Sequence, residues 1–222
     1  MQLAPLFAYL TDLAAHNERE WFLAHKTAYD QLRAQFEADV AWLAAELAAL
    51  DPALGLLEPR KCMFRINRDV RFSRNKDPYK VNFSAYFTTN SDKKGNAPGY
   101  YLQVGPHGQT LLAGGLYVPE KEQIAAIRQE IDYNAEALHQ VLWHPAFQRY
   151  FAGLNGEQLK KAPAGYPADH PEVNLLRYKS FVATHHLPDA QAQHLPDLRT
   201  YVLEGFRGLL PLCQFLRTAI GQ

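Results

Sequence analysis

Cysteine is scarce in this chain, with two in 222 residues. Cys62 and Cys213 stand far apart and without the spacing of a metal-ligand set, so neither a disulfide framework nor a structural zinc site is expected to organise the fold. Free thiols in a reducing compartment are the expectation. No histidine is close in sequence to Cys62, which argues against a cysteine nucleophile. No apolar run approaches the roughly 18 residues of a membrane span. The stretch Met1 to Leu10 also lacks the basic start, apolar centre and small-residue cleavage site of a secretory leader. These absences point to a cytoplasmic protein with no membrane partner. Net charge is absent too, since 23 Lys and Arg balance 23 Asp and Glu, and this counts against a broad phosphate-backbone footprint. No Walker-type loop or dinucleotide fingerprint is present. No cofactor and no metal are expected, and His185-His186 lacks the helical spacing or acidic partners of a metal site.

The charge that is present is concentrated in one stretch. Between Glu58 and Lys80 stand eight cations (Arg60, Lys61, Arg65, Arg68, Arg71, Arg74, Lys76, Lys80) against three anions (Glu58, Asp69, Asp77), a local excess of five that the rest of the chain must offset. Segregation of this kind bears on partners rather than on fold. Alternation over Phe64 to Phe72 predicts a strand. Phe64, Ile66, Val70 and Phe72 would share one face, interrupted by Arg68, while Arg65, Asn67, Asp69 and Arg71 would share the other. Such a face can hold a phosphate or carboxylate through charge-assisted hydrogen bonds. It can equally be a solvated face on which Asp69 pairs with Arg65 or Arg71.

The run Phe64-Arg65-Ile66-Asn67-Arg68-Asp69-Val70-Arg71-Phe72-Ser73, followed by Lys76-Asp77-Pro78-Tyr79-Lys80, resembles the signature of a family of conserved hypothetical proteins, domain of unknown function 2461. Asn17-Glu18-Arg19-Glu20-Trp21-Phe22, Gly99-Tyr100-Tyr101, Gly114-Gly115-Leu116-Tyr117 and Pro163 to Pro171 are similar to that family's landmarks in the same order, and Arg128 resembles another. The resemblance implies a frame and no activity.

Leu3 to Ala15 reads as a helix. Asn17 and Glu20 have the spacing of a capping box that starts a second helix at Glu18. Its apolar stripe runs through Phe22, His25, Tyr29, Leu32, Phe36, Val40, Leu43, Leu47 and Leu50 until Asp51-Pro52 ends it. Further strands are expected at Val81 to Thr89, Gly99 to Gly105 and Gln109 to Val118, with turn chemistry and a mobile tip over Asn90 to Pro98. With Phe64 to Phe72 these make an antiparallel meander, and Tyr178 to Thr184 offers a fifth strand. Gly114-Gly115 predicts a bulge or a close approach to another group, a ligand included. Pro119 should open a helix with Ile124, Ile127, Ile131 and Leu138 as its core face. Asp197 to Ile220 should form the last helix, kinked or divided at Pro211. The fold class is therefore α+β, a single domain over residues 1–222. An antiparallel sheet of four to five strands would carry the N- and C-terminal helices mainly on one face.

That leaves the sheet's polar face, with Ser84, Tyr86, Tyr101 and Gln103 beside the cationic strand. Its leading reading is a cleft for a phosphate- or carboxylate-bearing small molecule. Arg65, Arg68, Arg71, Lys76 and Lys80 would hold the anion, and Tyr79 and Tyr86 would shape the pocket. Asp69 or the Asp169-His170 pair would move any proton, Asp169-His170 lying in a 19-residue Gly- and Pro-rich connection long enough to act as a lid. Enzymatic turnover stays open, because no nucleophile is identified. The alternatives are nucleic acid, with Phe72, Tyr79 or Tyr86 stacking on bases, and an interaction domain in which the cations neutralise internal carboxylates. Oligomeric state does not follow from these patterns.

Overall fold

The computed structural model describes residues 2–89 and 95–221. Nine α-helices and four strands occur among the described residues. The strands β1 (Phe83–Thr88), β2 (Gly99–Val104), β3 (Leu111–Leu116) and β4 (Phe181–His186) form one antiparallel sheet in the order β1-β2-β3-β4. The fold is α+β, as the strand and helix periods predict. Contacts cluster into two compact units. One comprises Met1–Phe87, Tyr101–Leu112 and His186–Leu203; the other comprises Thr88–Tyr100, Ala113–His185 and Glu204–Gln222.

In the first unit, α1 (Leu3–Ala15) and α3 (Lys26–Leu50) carry most of the core. Leu6, Leu10, Leu13, Val40, Leu43 and Leu47 are fully buried, at the steps of three and four that define one helix face. Asp51-Pro52 ends α3 as expected, and Pro52–Leu54 continues as a single 3₁₀ turn. The capping box at Asn17 does not form, and the helix expected from Glu18 is divided. A short α2 (Arg19–Ala24) starts after Glu18 with no side-chain cap. His25 then leaves helical geometry at φ −106° and ψ 14°. Asn17 is engaged elsewhere: its amide donates to the Tyr79 carbonyl and accepts from the Tyr79 N–H, both at 3.0 Å. At the break, the backbone N–H and the ring Nδ1–H of His25 both donate to the Trp21 carbonyl while the two rings stack at 3.9 Å.

Tyr9 sits in this aromatic region, 5.7 Å from Trp21 and 6.4 Å from Tyr29 by ring centroids. Its buried hydroxyl has no hydrogen-bond partner among the described residues. Burial, with smaller contributions from Tyr29, Tyr79 and Asp30, pushes its pKa up to about 12. The folded value lies above the unfolded one, so the folded state keeps this proton longer than the unfolded state does. The associated stability is present below about pH 10 and is lost as pH rises through the folded value. Tyr9→Phe removes a desolvated, unpaired hydroxyl. It is expected to raise stability by about 1 kcal/mol at neutral pH and to flatten the loss above pH 10, read by urea unfolding at neutral and alkaline pH.

The meander contains three consecutive strands, not four. Phe64 to Phe72 forms no regular strand, and its β-pairing is limited to the isolated bridges Met63↔Ala85, just before it, and Asn67↔Tyr79. Of its expected apolar face only Ile66 is buried, and Phe72 is 95% exposed. Backbone pairing stops after Arg68, and beyond it the Arg71 N–H and the Val70 carbonyl bond to the side chains of Asp69 and Lys76, so alternation here has no continuous ladder to support it. The fourth place is taken by β4, near the position of the optional fifth strand. Along β2 the alternation holds, with Tyr100, Leu102 and Val104 buried and Tyr101 and Gln103 half-exposed. Along β1 it does not, because every residue from Phe83 to Thr88 is buried, Ser84 and Tyr86 included.

The β2–β3 connection is a type I′ turn. His107 and Gly108 have φ of 59° and 72°, and the Gln109 N–H donates to the Pro106 carbonyl. Their two N–H groups donate to the Asp189 carboxylate at 2.7 and 2.8 Å, at the start of α8 (Asp189–His194). The mobile tip expected within Asn90 to Pro98 falls largely on residues 90–94, outside the described residues.

In the second unit, α5 (Lys121–Trp143) starts two residues after Pro119. Glu120 is its N-cap, in a capping box with Gln123. Ile127, Ile131 and Leu138 are buried as its core face, and the helix is interrupted at Asn134. The short α6 (Pro145–Gln148) and α7 (Val173–Leu176) follow. The last helix, α9 (Leu198–Ala219), runs through Pro211 undivided. No helix of the described residues is long and apolar enough to cross a membrane.

Candidate functional site

The cationic stretch folds as an irregular hairpin within the first unit. The Phe64 N–H donates to the Ser84 carbonyl, Lys80 N–H to Ile66 and Arg68 N–H to Pro78, at 2.8 to 2.9 Å. Residues 63–68 and 78–85 therefore run antiparallel, and the chain between them closes on itself through side chains. Arg68 donates to the Asp77 carbonyl at 3.0 Å and to the Ser73 hydroxyl at 3.4 Å. The Lys76 ammonium donates to the Val70 carbonyl at 3.0 Å, and the Asn75 side chain accepts from the Asp77 N–H. Arg71 grips Asp69 through Nε at 3.0 Å and Nη2 at 2.7 Å. The side-chain and backbone hydrogen bonds from Arg71, aided by the charge of Arg65, hold the Asp69 carboxyl below its usual range. This pair is solvent-exposed, so it contributes to loop shape more than to stability.

Beside the hairpin lies a cleft of about 420 Å³ lined by Phe64, Arg68, Asp69, Lys80, Asn82, Ser84, Tyr101 and Gln103. The Lys80 ammonium lies 5.0 Å from the Phe64 ring centroid, and the Phe64 and Tyr101 rings meet edge to face at 6.2 Å. Tyr101 donates its hydroxyl proton to Gln103 Oε1 at 3.0 Å, while Gln103 Nε2 donates to the Gln109 carbonyl at 2.8 Å. This chain fixes the direction of both side chains. Two cations and one carboxylate give the lining a formal charge of +1. The carboxylate, Asp69, is already engaged by Arg71.

Of the residues expected at an anion site, Arg68, Lys80 and Asp69 line this cleft; Arg65, Arg71 and Lys76 are exposed and lie outside its lining. Tyr79 is buried with its ring stacked on Phe22 at 4.2 Å, and Tyr86 is buried in β1. Parity places Ser84, Tyr101 and Gln103 together, and the cleft contains all three. It misassigns Arg68 and Phe64, which alternation sets on the apolar face. The misassignment arises because the hairpin is not a regular strand.

Asp169-His170 lies in the second unit, and the carboxylate that orients the imidazole is not its neighbour. His170 Nδ1 accepts the Glu172 N–H at 3.0 Å, which places the ring proton on Nε2, and that N–H donates to Asp132 of α5 at 2.9 Å. Both ring nitrogens are thereby occupied. Asp169 is exposed. The same helix binds the segment after the connection at two more points. His139 meets Glu172 at 2.9 Å, and Arg128 donates to the carbonyls of Leu176 and Tyr178 at 2.8 and 3.2 Å, its pKa drawn down by burial. Arg128, Asp132 and His139 each follow one of the core residues Ile127, Ile131 and Leu138, and so form a polar stripe beside the buried one, about 100° round the helix. That i, i+4, i+11 spacing is the signal from which Asp132 could have been found. The preceding part of the connection is tied along residues 177–182. The N–H groups of Asn155 and Leu159 donate to Val182 and Arg177, and the Tyr178 hydroxyl donates to Leu154.

The whole arrangement is spanned by one family model, that of a conserved hypothetical protein, DUF2461, which matches residues 5–215 of the 222. The chain belongs to the DUF2461 family. Neither a curated protein nor a solved structure matches it. Several of the residues that resemble the family's landmarks are points where distant segments are joined: Asn17 to Tyr79, Arg128 to Leu176 and Tyr178, and His170 to Asp132. The family's description carries no chemistry.

Proposed function

We propose that this DUF2461 protein binds a small anion, a carboxylate or a phosphate ester, in the cleft between Lys80 and Tyr101. The observation that supports this is the convergence of Lys80 and the Arg68 rim with Asn82, Ser84 and Tyr101, around a space of about 420 Å³ whose lone carboxylate is engaged by Arg71. The half-buried rings of Phe64 and Tyr101 favour a ligand with a flat or apolar body attached to the anionic group. The polar groups orient that ligand and the rings supply contact area. The reading is one of binding. No histidine or cysteine stands in the cleft lining, so it assigns no step of bond making or breaking.

Thermal unfolding of wild type and Lys80→Ala against phosphate, sulfate, small aromatic carboxylates, sugar phosphates and mononucleotides tests it. A ligand held only by the folded state raises the midpoint with concentration. One class is expected to stabilise wild type by a few degrees and Lys80→Ala not at all. If no class stabilises wild type, or if Lys80→Ala is stabilised equally, the cleft is not the site.

A further inference from the structure

The hairpin carries a second feature that the cleft does not use. Of the three aromatic side chains that sequence alone would allow to stack on a base, Tyr79 and Tyr86 are buried, whereas Phe72 is 95% exposed. It stands between Arg71 and Arg74, both exposed. The Arg71 guanidinium lies 5.8 Å from the Phe72 ring centroid and is itself held by Asp69. Arg65 and Arg74 are exposed and make no ion pair among the described residues. Around them the loop is stiffened by the bonds of Arg68 to Asp77 and Ser73, of Lys76 to Val70 and of Asp77 to Asn75. Three cations thus have structural duties, while Arg65 and Arg74, in the same hairpin as the bare ring, make no ion pair among the described residues.

We infer that this loop is a docking element for single-stranded nucleic acid, with Phe72 stacking on a base and Arg65 and Arg74 contacting flanking phosphates. A single strand supplies a flat π-face and an anion in alternation, which a duplex, with its bases stacked inside, does not. Arginine suits the phosphate because its planar fork can donate two parallel hydrogen bonds. The loop's internal bonds hold the ring outward before any ligand arrives, so little ordering opposes binding. An anionic membrane fits less well. Stable lipid attachment calls for a cluster of cations or a second apolar anchor, and the loop has one exposed apolar ring and two unpaired arginines. The balanced net charge is compatible with a footprint of two phosphates, though not with a long one.

The test is fluorescence anisotropy of a labelled oligothymidine and a labelled single-stranded RNA. The proteins are the full chain and its Phe72→Ala, Phe72→Trp, Phe72→Leu, Arg65→Ala and Arg74→Ala variants. Because Phe72 is exposed, each Phe72 variant should keep the wild-type unfolding midpoint, which is checked first. Phe72→Ala and Phe72→Leu are expected to weaken binding roughly ten- to hundred-fold, while Phe72→Trp retains it. Each arginine variant should lower the salt slope by about 0.7, and unlabelled duplex should not compete. The inference is overturned by failure of wild type to bind, by equal binding of Phe72→Ala or Phe72→Leu, or by duplex competing as well as single strand. Phe72-dependent sedimentation with phosphatidylserine vesicles, without oligonucleotide binding, overturns it in favour of a lipid surface. Lys80→Ala should leave oligonucleotide binding intact, and Phe72→Ala should leave any small-anion stabilisation intact, so failure here and failure of the cleft reading are separately visible.

Discussion

Gly115→Ala is expected to destabilise the protein by about 4 kcal/mol or more, a large share of the roughly 5–15 kcal/mol that holds a domain folded. Gly115 has φ +116°, a conformation that residues with a side chain rarely adopt, and a Cβ there would overlap the carbonyl oxygen of Phe181 on β4. The obstacle is backbone, so it has no rotamer by which to move aside. Its neighbour Gly114 is confined more softly, since an added Cβ would lie 2.7 Å from Leu209 Cδ1, the end of a flexible side chain, and no nearer than 3.1 Å to backbone, at the Gly99 carbonyl oxygen. Gly114→Ala should therefore cost much less. Equilibrium unfolding in urea of the two variants, side by side, measures the difference. Equal losses would show that strand approach is not what the glycine pair provides. The close approach that this pair signals is thus to the protein's own strand and helix.

Asn17→Ala is expected to cost roughly 2–4 kcal/mol, because it strands both the N–H and the carbonyl of buried Tyr79, each worth about 1–3 kcal/mol when left unsatisfied. The two bonds attach the chain just before α2 to the last residues of the cationic hairpin, across 62 positions of sequence. Asn17→Asp is the informative companion. It keeps an acceptor for the Tyr79 N–H, loses the donor to the Tyr79 carbonyl and sets a charge against that carbonyl. A loss for Asn17→Asp close to that of Asn17→Ala assigns most of the effect to the donated bond. If Asn17→Ala is as stable as wild type, the pairing is incidental. Since Tyr79 is followed by Lys80, Asn17→Ala should also weaken any ligand-dependent stabilisation in the cleft.

Much of the helical half was legible from period. Leu32, Phe36, Val40, Leu43 and Leu47 recur at helical steps and are buried along one face of α3. Pro52 stops that helix for a reason local to its own ring. The alternation of Tyr100, Leu102 and Val104 against Tyr101 and Gln103 likewise survives folding. The same rule misled at Phe64 to Phe72. Its side chains alternate in kind, but Arg68 and Lys76 bond the loop's own carbonyls, and Phe72 ends in solvent.

The Asp169-His170 pair shows the same limit. Adjacency suggested a dyad, yet the imidazole's carboxylate is Asp132, 38 positions earlier, and its other nitrogen is taken by the Glu172 N–H. Sequence patterns established the class of fold, the core faces of the long helices and the concentration of cations near one hairpin, because each of these depends on residues close together along the chain. Tertiary contact decided which cations face the cleft, which brace the loop and which stand free. A hydrogen bond needs a partner within about 3 Å in a set direction, and partners as remote as Asn17 and Tyr79, or Asp132 and His170, are brought together by packing that no local period encodes.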